Sequence, residues 1–269
     1  MPGSQPGRWI GLTGTVNDLR SPELTSAPVT SSVPASQTPR VLAGRITKRF
    51  GNRPVLRAID LRIEPGERVV LFGSNGAGKT TLLRILATLS RATKGTLLID
   101  GLAVDRNAQT ARRRIGVVAH QPYLYDDLTA EENLRFFAKM YDVAEQQARI
   151  GEVLDLVGLA GRRGDRVRTF SRGMQQRLAL ARAIVHRPAL LLFDEPDTGL
   201  DRSGIGVLER ILEEQASASG SVLMTTHDLE FGLRSVDRVL LLDGGRLVLD
   251  VPAESIDADE IAERMSSRS

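Results

Sequence analysis

The chain has 269 residues, 41% of them hydrophobic, with no cysteine and a formal charge of +3 from 36 basic and 33 acidic side chains. Zero cysteine removes disulfide frameworks, zinc ribbons and thiol catalysis together, and the near balance of charge argues against a polycation that coats nucleic acid, so no nucleic-acid partner is expected. The length suffices for one large core or two small ones; no stretch nears the ~18 apolar residues of a membrane span, Met1–Gly7 lacks the regions of a signal peptide, and a cytosolic chain is expected.

Residues 1–39 are rich in Pro, Ser, Thr and Gly, and Ser21-Pro22, Ala27-Pro28, Val33-Pro34 and Thr38-Pro39 break any periodic pattern. Such a segment buries too little apolar surface to offset its ordering entropy, and it reads as a disordered extension or an over-long start. Strands are predicted over Val41–Lys48 and Val55–Ile63, joined around the turn signal Gly51-Asn52. Another apolar strand, Arg68–Phe72, leads into Gly73-Ser74-Asn75-Gly76-Ala77-Gly78-Lys79-Thr80, and Leu82, Leu83, Ile85, Leu86 and Leu89 then repeat with helical spacing. Strand, glycine-rich loop and helix in that order form a phosphate-binding loop. Consecutive N–H groups converge on the α- and β-phosphates while the positive end of the helix faces the same anion. Lys79 would reach the β- and γ-phosphates, and the Thr80 hydroxyl would ligate Mg²⁺. A glycine turn that merely caps a helix is the alternative. One such loop implies one nucleotide domain.

Gly95–Asp100 reads as a further strand. From Ile115 onward, strands at Ile115–Val118, Leu190–Asp194, Val222–Thr226 and Val239–Asp243 alternate with helices, the pattern of an α/β fold with a mostly parallel sheet. Between Gln121 and about His186 only helices are predicted: one opened by the capping box Thr129-Ala130-Glu131-Glu132, with Leu134, Phe137 and Tyr141 on one face, a second over Glu152–Val157, and a third over Ser171–Val185. An all-helical insert of about 121–186 is expected, and residues 253–269, with Ile256, Ile261 and Met265, read as a short amphipathic tail.

The strand Leu190–Phe193 ends in Asp194-Glu195. Buried on both faces, it would hold Asp194 rigidly against the Mg²⁺ hydration shell, while Glu195 polarises a water. Alone, an acidic pair at a strand end more often marks a solvated turn. Beside a phosphate loop it points to metal chemistry, because a neighbouring strand tip in a doubly wound sheet faces that loop.

Phe170-Ser171-Arg172-Gly173-Met174-Gln175-Gln176-Arg177 resembles the signature segment of ATP-binding cassette (ABC) ATPases, and Gly199-Leu200-Asp201 and Thr225-Thr226-His227-Asp228 follow in that family's order. The resemblance covers about residues 41–250. It implies a P-loop NTPase core with a mostly parallel sheet, an antiparallel β subdomain and an inserted α-helical subdomain, placed here at 40–252. It implies ATP contacts from Phe50, which would stack on adenine, from Gly73, Ser74, Asn75, Gly76, Ala77, Gly78, Lys79, Thr80 and Thr81, and, across a dimer interface, from Ser171, Gly173 and Asp201. Mg²⁺ would be held by Thr80, Gln121 and Asp194, and hydrolysis would use Glu195, His227 and Gln121. Phe50 could instead be a core aromatic, Gln121 an exposed loop glutamine, and Asp201 the N-cap of the following helix. The family's common signature is Leu-Ser-Gly-Gly-Gln; Arg172 stands for its first Gly and Met174 for its Gln, whereas Ser171 and Gly173 are kept.

The resemblance further implies an ATP-hydrolysing subunit of a transporter, a homodimer that sandwiches ATP, and peripheral attachment at the inner face of the cell membrane. An integral membrane subunit would dock in the groove after Gln121, on Tyr123, Leu124, Tyr125 and Leu128. The run His120–Thr129 and the Ser171–Met174 variant are most similar to export-type ATPases, in particular to bacterial subunits assigned to haem export for cytochrome c maturation, with no haem bound by this chain itself. Export of a drug, lipid or polysaccharide, or a soluble ATPase such as an iron–sulfur assembly scaffold, are the alternatives.

Overall fold

The computed structural model describes residues 38–266, so the extension expected over residues 1–39 lies outside the described residues apart from Thr38 and Pro39. In chain order the strands and helices are β1 (Val41–Phe50), β2 (Arg53–Ile63), β3 (Arg68–Phe72), α1 (Lys79–Leu86), β4 (Lys94–Ile99), β5 (Leu102–Ala103), α2 (Val104–Arg112), β6 (Ile115–Val118), α3 (Ala130–Met140), α4 (Gln146–Leu156), α5 (Arg172–Ile184), β7 (Leu190–Asp194), α6 (Arg202–Ser217), β8 (Ser221–Thr225), α7 (Leu229–Arg234), β9 (Arg238–Asp243), β10 (Arg246–Pro252) and α8 (Ala258–Ser266).

They form two sheets. The smaller runs β2-β1-β4-β5, all antiparallel, and the larger runs β10-β9-β3-β8-β7-β6, parallel from β9 to β6 with β10 antiparallel at one edge. Parallel strands covered on both faces read as unbroken apolar runs. Successive side chains nevertheless alternate between faces, which sorts the runs into two cores. Val70, Phe72, Leu191, Phe193, Val222 and Met224 pack with α3 to α6, while Val69, Leu71, Leu190, Leu192, Leu223 and Leu240 pack with α1 and the small sheet.

Sequence expectation and structure agree on the type of each predicted element and differ at several ends. Helix α1 stops at Leu86, because Thr88 turns left-handed at φ 60° and the next amides fold back on Ile85 and Arg84. Leu89 therefore lies off the helix and is exposed. Helix α4 starts at Gln146, earlier than Glu152, since its polar first turn hides the period that Ile150, Val153 and Leu154 complete. The box at Thr129 is present with both bonds, Glu132 N–H to the Thr129 hydroxyl at 3.1 Å and Thr129 N–H to the Glu132 carboxylate at 2.8 Å.

Candidate functional site

The C-terminal ends of the parallel strands gather the chemistry. Central strand β3 runs directly into the phosphate loop, where Gly73 has φ +152° and a Cβ would sit 2.3 Å from the Leu242 carbonyl oxygen of β9. At Gly78, φ +113°, a Cβ would meet the Leu56 side chain at 2.8 Å, whereas around Gly76 the space is open. Only glycine lets the loop lie this close to the sheet while leaving its other side free to receive a ligand. Helix α1 begins at Lys79 without any side-chain cap, so its first N–H groups and dipole are available to an anion. Lys79 is buried, and its ammonium donates to the Gly73 carbonyl at 2.6 Å and to the Ser74 carbonyl at 3.3 Å. Burial lowers its pKa from the usual lysine value, against the opposing fields of Glu195 and Asp194. A buried cation with neutral carbonyls as its only hydrogen-bond partners among the described residues suits a phosphate. Thr80 beside it is exposed.

Two strands away, β7 delivers Asp194, 7% exposed, whose carboxylate accepts from the Thr225 hydroxyl at the tip of β8 at 2.9 Å. The next residue, Glu195, is forced into left-handed backbone at φ +54°, held there by its N–H on the Thr225 hydroxyl at 3.1 Å. Strain of this kind persists only where surrounding structure over-determines it. The turn aims the Glu195 side chain at His227, whose Nε2 donates to the Glu195 carboxylate at 2.9 Å. Gln121, after β6, is exposed. Phe50 ends β1 and is 57% exposed, with the Lys48 ammonium 4.9 Å from its ring, so it is no core aromatic.

Ser171, Gly173 and Asp201 are placed elsewhere. They line a cleft of about 400 Å³ with Met174, Arg177 and Gly199, and no phosphate-loop residue lines it. Ser171 N-caps α5, accepting from Met174 N–H at 3.3 Å. Asp201 does cap α6, through Gly204 N–H at 2.8 Å, and also pairs with Arg177; the Gly204 N–H first and Arg177 second hold its pKa below the usual carboxylate range. The Arg172 side chain lies against the Gly199 turn, where a Cβ would be 3.3 Å from it, which gives the signature departure a packing role.

A third feature, a cavity of about 490 Å³, is lined by Tyr123, Leu124, Tyr125, Phe137, Tyr141 and Arg182, among others. Leu128, expected in this surface, does not line it. Of the cavity's lining residues, Tyr125 is held by buried Asn133, whose side chain accepts from the Tyr125 N–H at 2.8 Å and donates to the Tyr125 carbonyl at 3.0 Å. Arg182 lies 5.2 Å from the Phe137 ring centre, donates to the Val117 carbonyl at 2.6 Å, and leaves its Nε buried without a partner; desolvation lowers its pKa to about 10. His186 stacks on Tyr141 at 3.9 Å, and burial lowers its pKa to about 4. Sequence reasoning missed both residues. The available signal was a lone cation inside the apolar run Leu178–Ile184.

The ABC transporter family model matches residues 56–198. The chain is 36% identical over 217 residues to a Nod factor export ATP-binding protein of Cupriavidus metallidurans, covering 80% of this chain and 72% of that one. It is 35% identical over 210 residues to a linearmycin resistance ATP-binding protein of Bacillus subtilis, covering 77% and 67%. Among solved structures, an ATP-binding cassette in a dimeric post-hydrolysis state with ADP and Pi superposes with a TM-score of 0.73 at 29% identity, over 79% of this chain and 98% of that chain.

Proposed function

The chain belongs to the ABC transporter family as an ATP-binding, ATP-hydrolysing subunit, and on that premise we propose that it powers export through a separate membrane subunit. The observation that carries the proposal is the division of its site: the phosphate loop with Asp194, Glu195 and His227 on one side, and Ser171, Gly173 and Asp201 in a cleft that the phosphate loop does not reach. Each half suits part of a nucleotide. Two copies joined head to tail would complete two sites, and the dimeric neighbour supports that arrangement.

In this reading Lys79 and the N–H groups of residues 73–81 bind the phosphates, and exposed Phe50 offers its ring to adenine. The Ser171 hydroxyl and Gly173 would meet the γ-phosphate of the opposite copy, with Asp201 at the crossing. Glu195 orients and polarises the attacking water, His227 hydrogen-bonds the γ-phosphate, and Gln121 reports the occupancy of the site to the helices that follow it. The donor set fits Mg²⁺: the exposed Thr80 hydroxyl, Asp194 and Gln121 would hold it, and it would neutralise charge on the β- and γ-oxygens. Residues 40–252 would form the ATP-binding domain, with the insert at about 121–186 and the tail at 253–269.

Among the described residues no helix is long and apolar enough to cross a membrane, and in this reading a separate membrane subunit carries the cargo. The cavity of about 490 Å³ behind Tyr123 and Tyr125 is its docking place, apolar and aromatic with Arg182 among its walls, and attachment there would hold the chain at the inner membrane face. Relatives named for Nod factor export and linearmycin resistance support the export direction. The haem cargo expected from residues 120–129 and the Ser171–Met174 variant rests on resemblance alone; loss of holo-cytochromes c in a deletion strain, read by haem staining, would support it. The export reading itself is tested by purifying the tagged chain from detergent-solubilised membranes. A multi-span membrane protein should co-purify, and Tyr125→Glu should release it. A chain that purifies alone refutes the reading.

A further inference from the structure

We infer that Asp197 is a positioning residue for hydrolysis, fastening the loop that carries Glu195 to the segment that carries His227. The Asp197 carboxylate accepts from the Thr226 hydroxyl at 2.8 Å, and the same hydroxyl accepts from the Asp228 N–H at 3.0 Å. Asp228 in turn caps α7 through Phe231 N–H at 2.9 Å. A continuous chain of hydrogen bonds thus runs from the start of α7 to the loop after β7. Thr226 is 2% exposed, and the second Asp197 oxygen is buried without a partner. Burial raises the Asp197 pKa, with Asp228 and Glu195 adding to the effect. The loop has further anchors: Gln176 of α5 donates to the Pro196 carbonyl at 2.8 Å, and Asp201 pairs with Arg177.

The arrangement explains why a second fastening is needed. Glu195 and His227 bond one another through side chains 29% and 48% exposed, and in the assigned roles both must turn from each other toward the water and the γ-phosphate. That contact is therefore exchanged during turnover. The Asp197–Thr226 bond lies two residues beyond Glu195, is part-buried where the outer one is exposed, and keeps the two loops in register while the outer bond is absent. Glu195 sits at a strained φ of +54°, so a loop freed at Asp197 would relax and misplace the carboxylate. Misplacement of about 1 Å is enough to cost up to ~100-fold in rate.

The inference rests on the assignment of Glu195 and His227 above. It is tested by steady-state ATP hydrolysis and ATP affinity of Asp197→Ala, Asp197→Asn, Thr226→Val, Thr226→Ser and the Asp197→Ala/Thr226→Val double variant. Asp197→Ala should lower kcat about tenfold or more while KM and ATP affinity stay within about twofold. Asp197→Asn, whose amide oxygen still accepts from Thr226, and Thr226→Ser, which keeps the hydroxyl, should retain most of the rate. The double variant should lose no more than Thr226→Val alone, because that substitution already removes the bond to Asp197 along with the one from the Asp228 N–H. Asp197→Ala at the wild-type rate, an equal fall in Asp197→Asn, or losses that multiply in the double variant would overturn the inference. Glu195→Gln separates the two readings. If it is inactive while Asp197→Ala is fully active, only the positioning role fails; if it hydrolyses ATP normally, the site assignment itself fails.

Discussion

His186 makes the stability of this protein fall with acid in a window set by its burial. Its Nε2–H donates to the Ile115 carbonyl at 3.1 Å, and its Nδ1 is buried without a partner, which disfavours a proton there. Burial, first, and the neighbouring Arg182 and Arg149 charges lower its pKa from 6.5 to about 4. Below pH 6.5 the unfolded chain takes up a proton that the folded protein refuses, so the contribution is complete above pH 6.5 and is lost as pH falls to about 4. At ~1.4 kcal/mol for each pH unit of separation, the loss amounts to about 3 kcal/mol. His186→Phe keeps a ring against Tyr141 but cannot titrate. Urea unfolding at pH 7, 6, 5 and 4, with the linear extrapolation applied to both proteins, isolates the effect, because carboxylates common to both cancel in the difference. The wild-type stability should fall about 3 kcal/mol further than the variant's between pH 7 and pH 4. Parallel curves would refute the neutral, desolvated histidine, whatever their absolute slopes.

Lys79→Ala deletes the buried ammonium of the phosphate loop, and at ~1.5–3 kcal/mol per charge-assisted bond ATP should bind about 10- to 100-fold more weakly by calorimetry; unchanged affinity would contradict the loop assignment. Glu195→Gln keeps the shape of the side chain but loses the carboxylate proposed to polarise the water, so ATP turnover should drop about 100-fold or more while ATP still binds. Light scattering should then show an ATP-dependent dimer, and a persistent monomer at saturating ATP counts against the shared site. Phe50→Ala should weaken ATP about tenfold or more through loss of base stacking, at ~1–3 kcal/mol, with Phe50→Tyr close to wild type; equal affinity of all three would move adenine elsewhere.

What the sequence revealed and what it hid divide along physical lines. The phosphate loop was legible because its glycines are demanded by backbone geometry: Gly73 and Gly78 occupy positive φ and have no room for a Cβ. Strands β3, β7 and β8 were legible because burial on both faces fills their middles with apolar residues and leaves the polar ones at the ends. Strand β10 escaped because it alternates at the sheet edge and every second residue, Arg246 first, is exposed. Helix α2 escaped for a different reason, since its residues are mostly polar and it buries Ala111 alone. In the site, residue type was readable and partnership was not. Asp197, Arg182 and His186 owe their character to burial and to neighbours far along the chain, Thr226, Val117 and Ile115, and a local pattern carries no trace of such pairings.

The division of the site is itself a consequence of the fold. Parallel strands end on one edge, so β3, β6, β7 and β8 bring the phosphate loop, Gln121, Asp194 with Glu195, and Thr225 with His227 to a common rim through nothing more than sheet order. Ser171 is not on a strand end. It caps α5, a helix whose length and direction are fixed by packing Leu178, Leu180 and Ala181 against the helical core, and Asp201 is tied to that helix through Arg177. Moving the signature residues to their own phosphate loop would require unpacking α5, at ~2–5 kcal/mol for each large buried side chain exposed. In the proposed dimer a second copy would reach them without that cost. Closing two chains would then be the less costly way to complete the site, and the hydrogen-bonded links from α5 to the loop of Glu195 would carry that closure to the group proposed to polarise water.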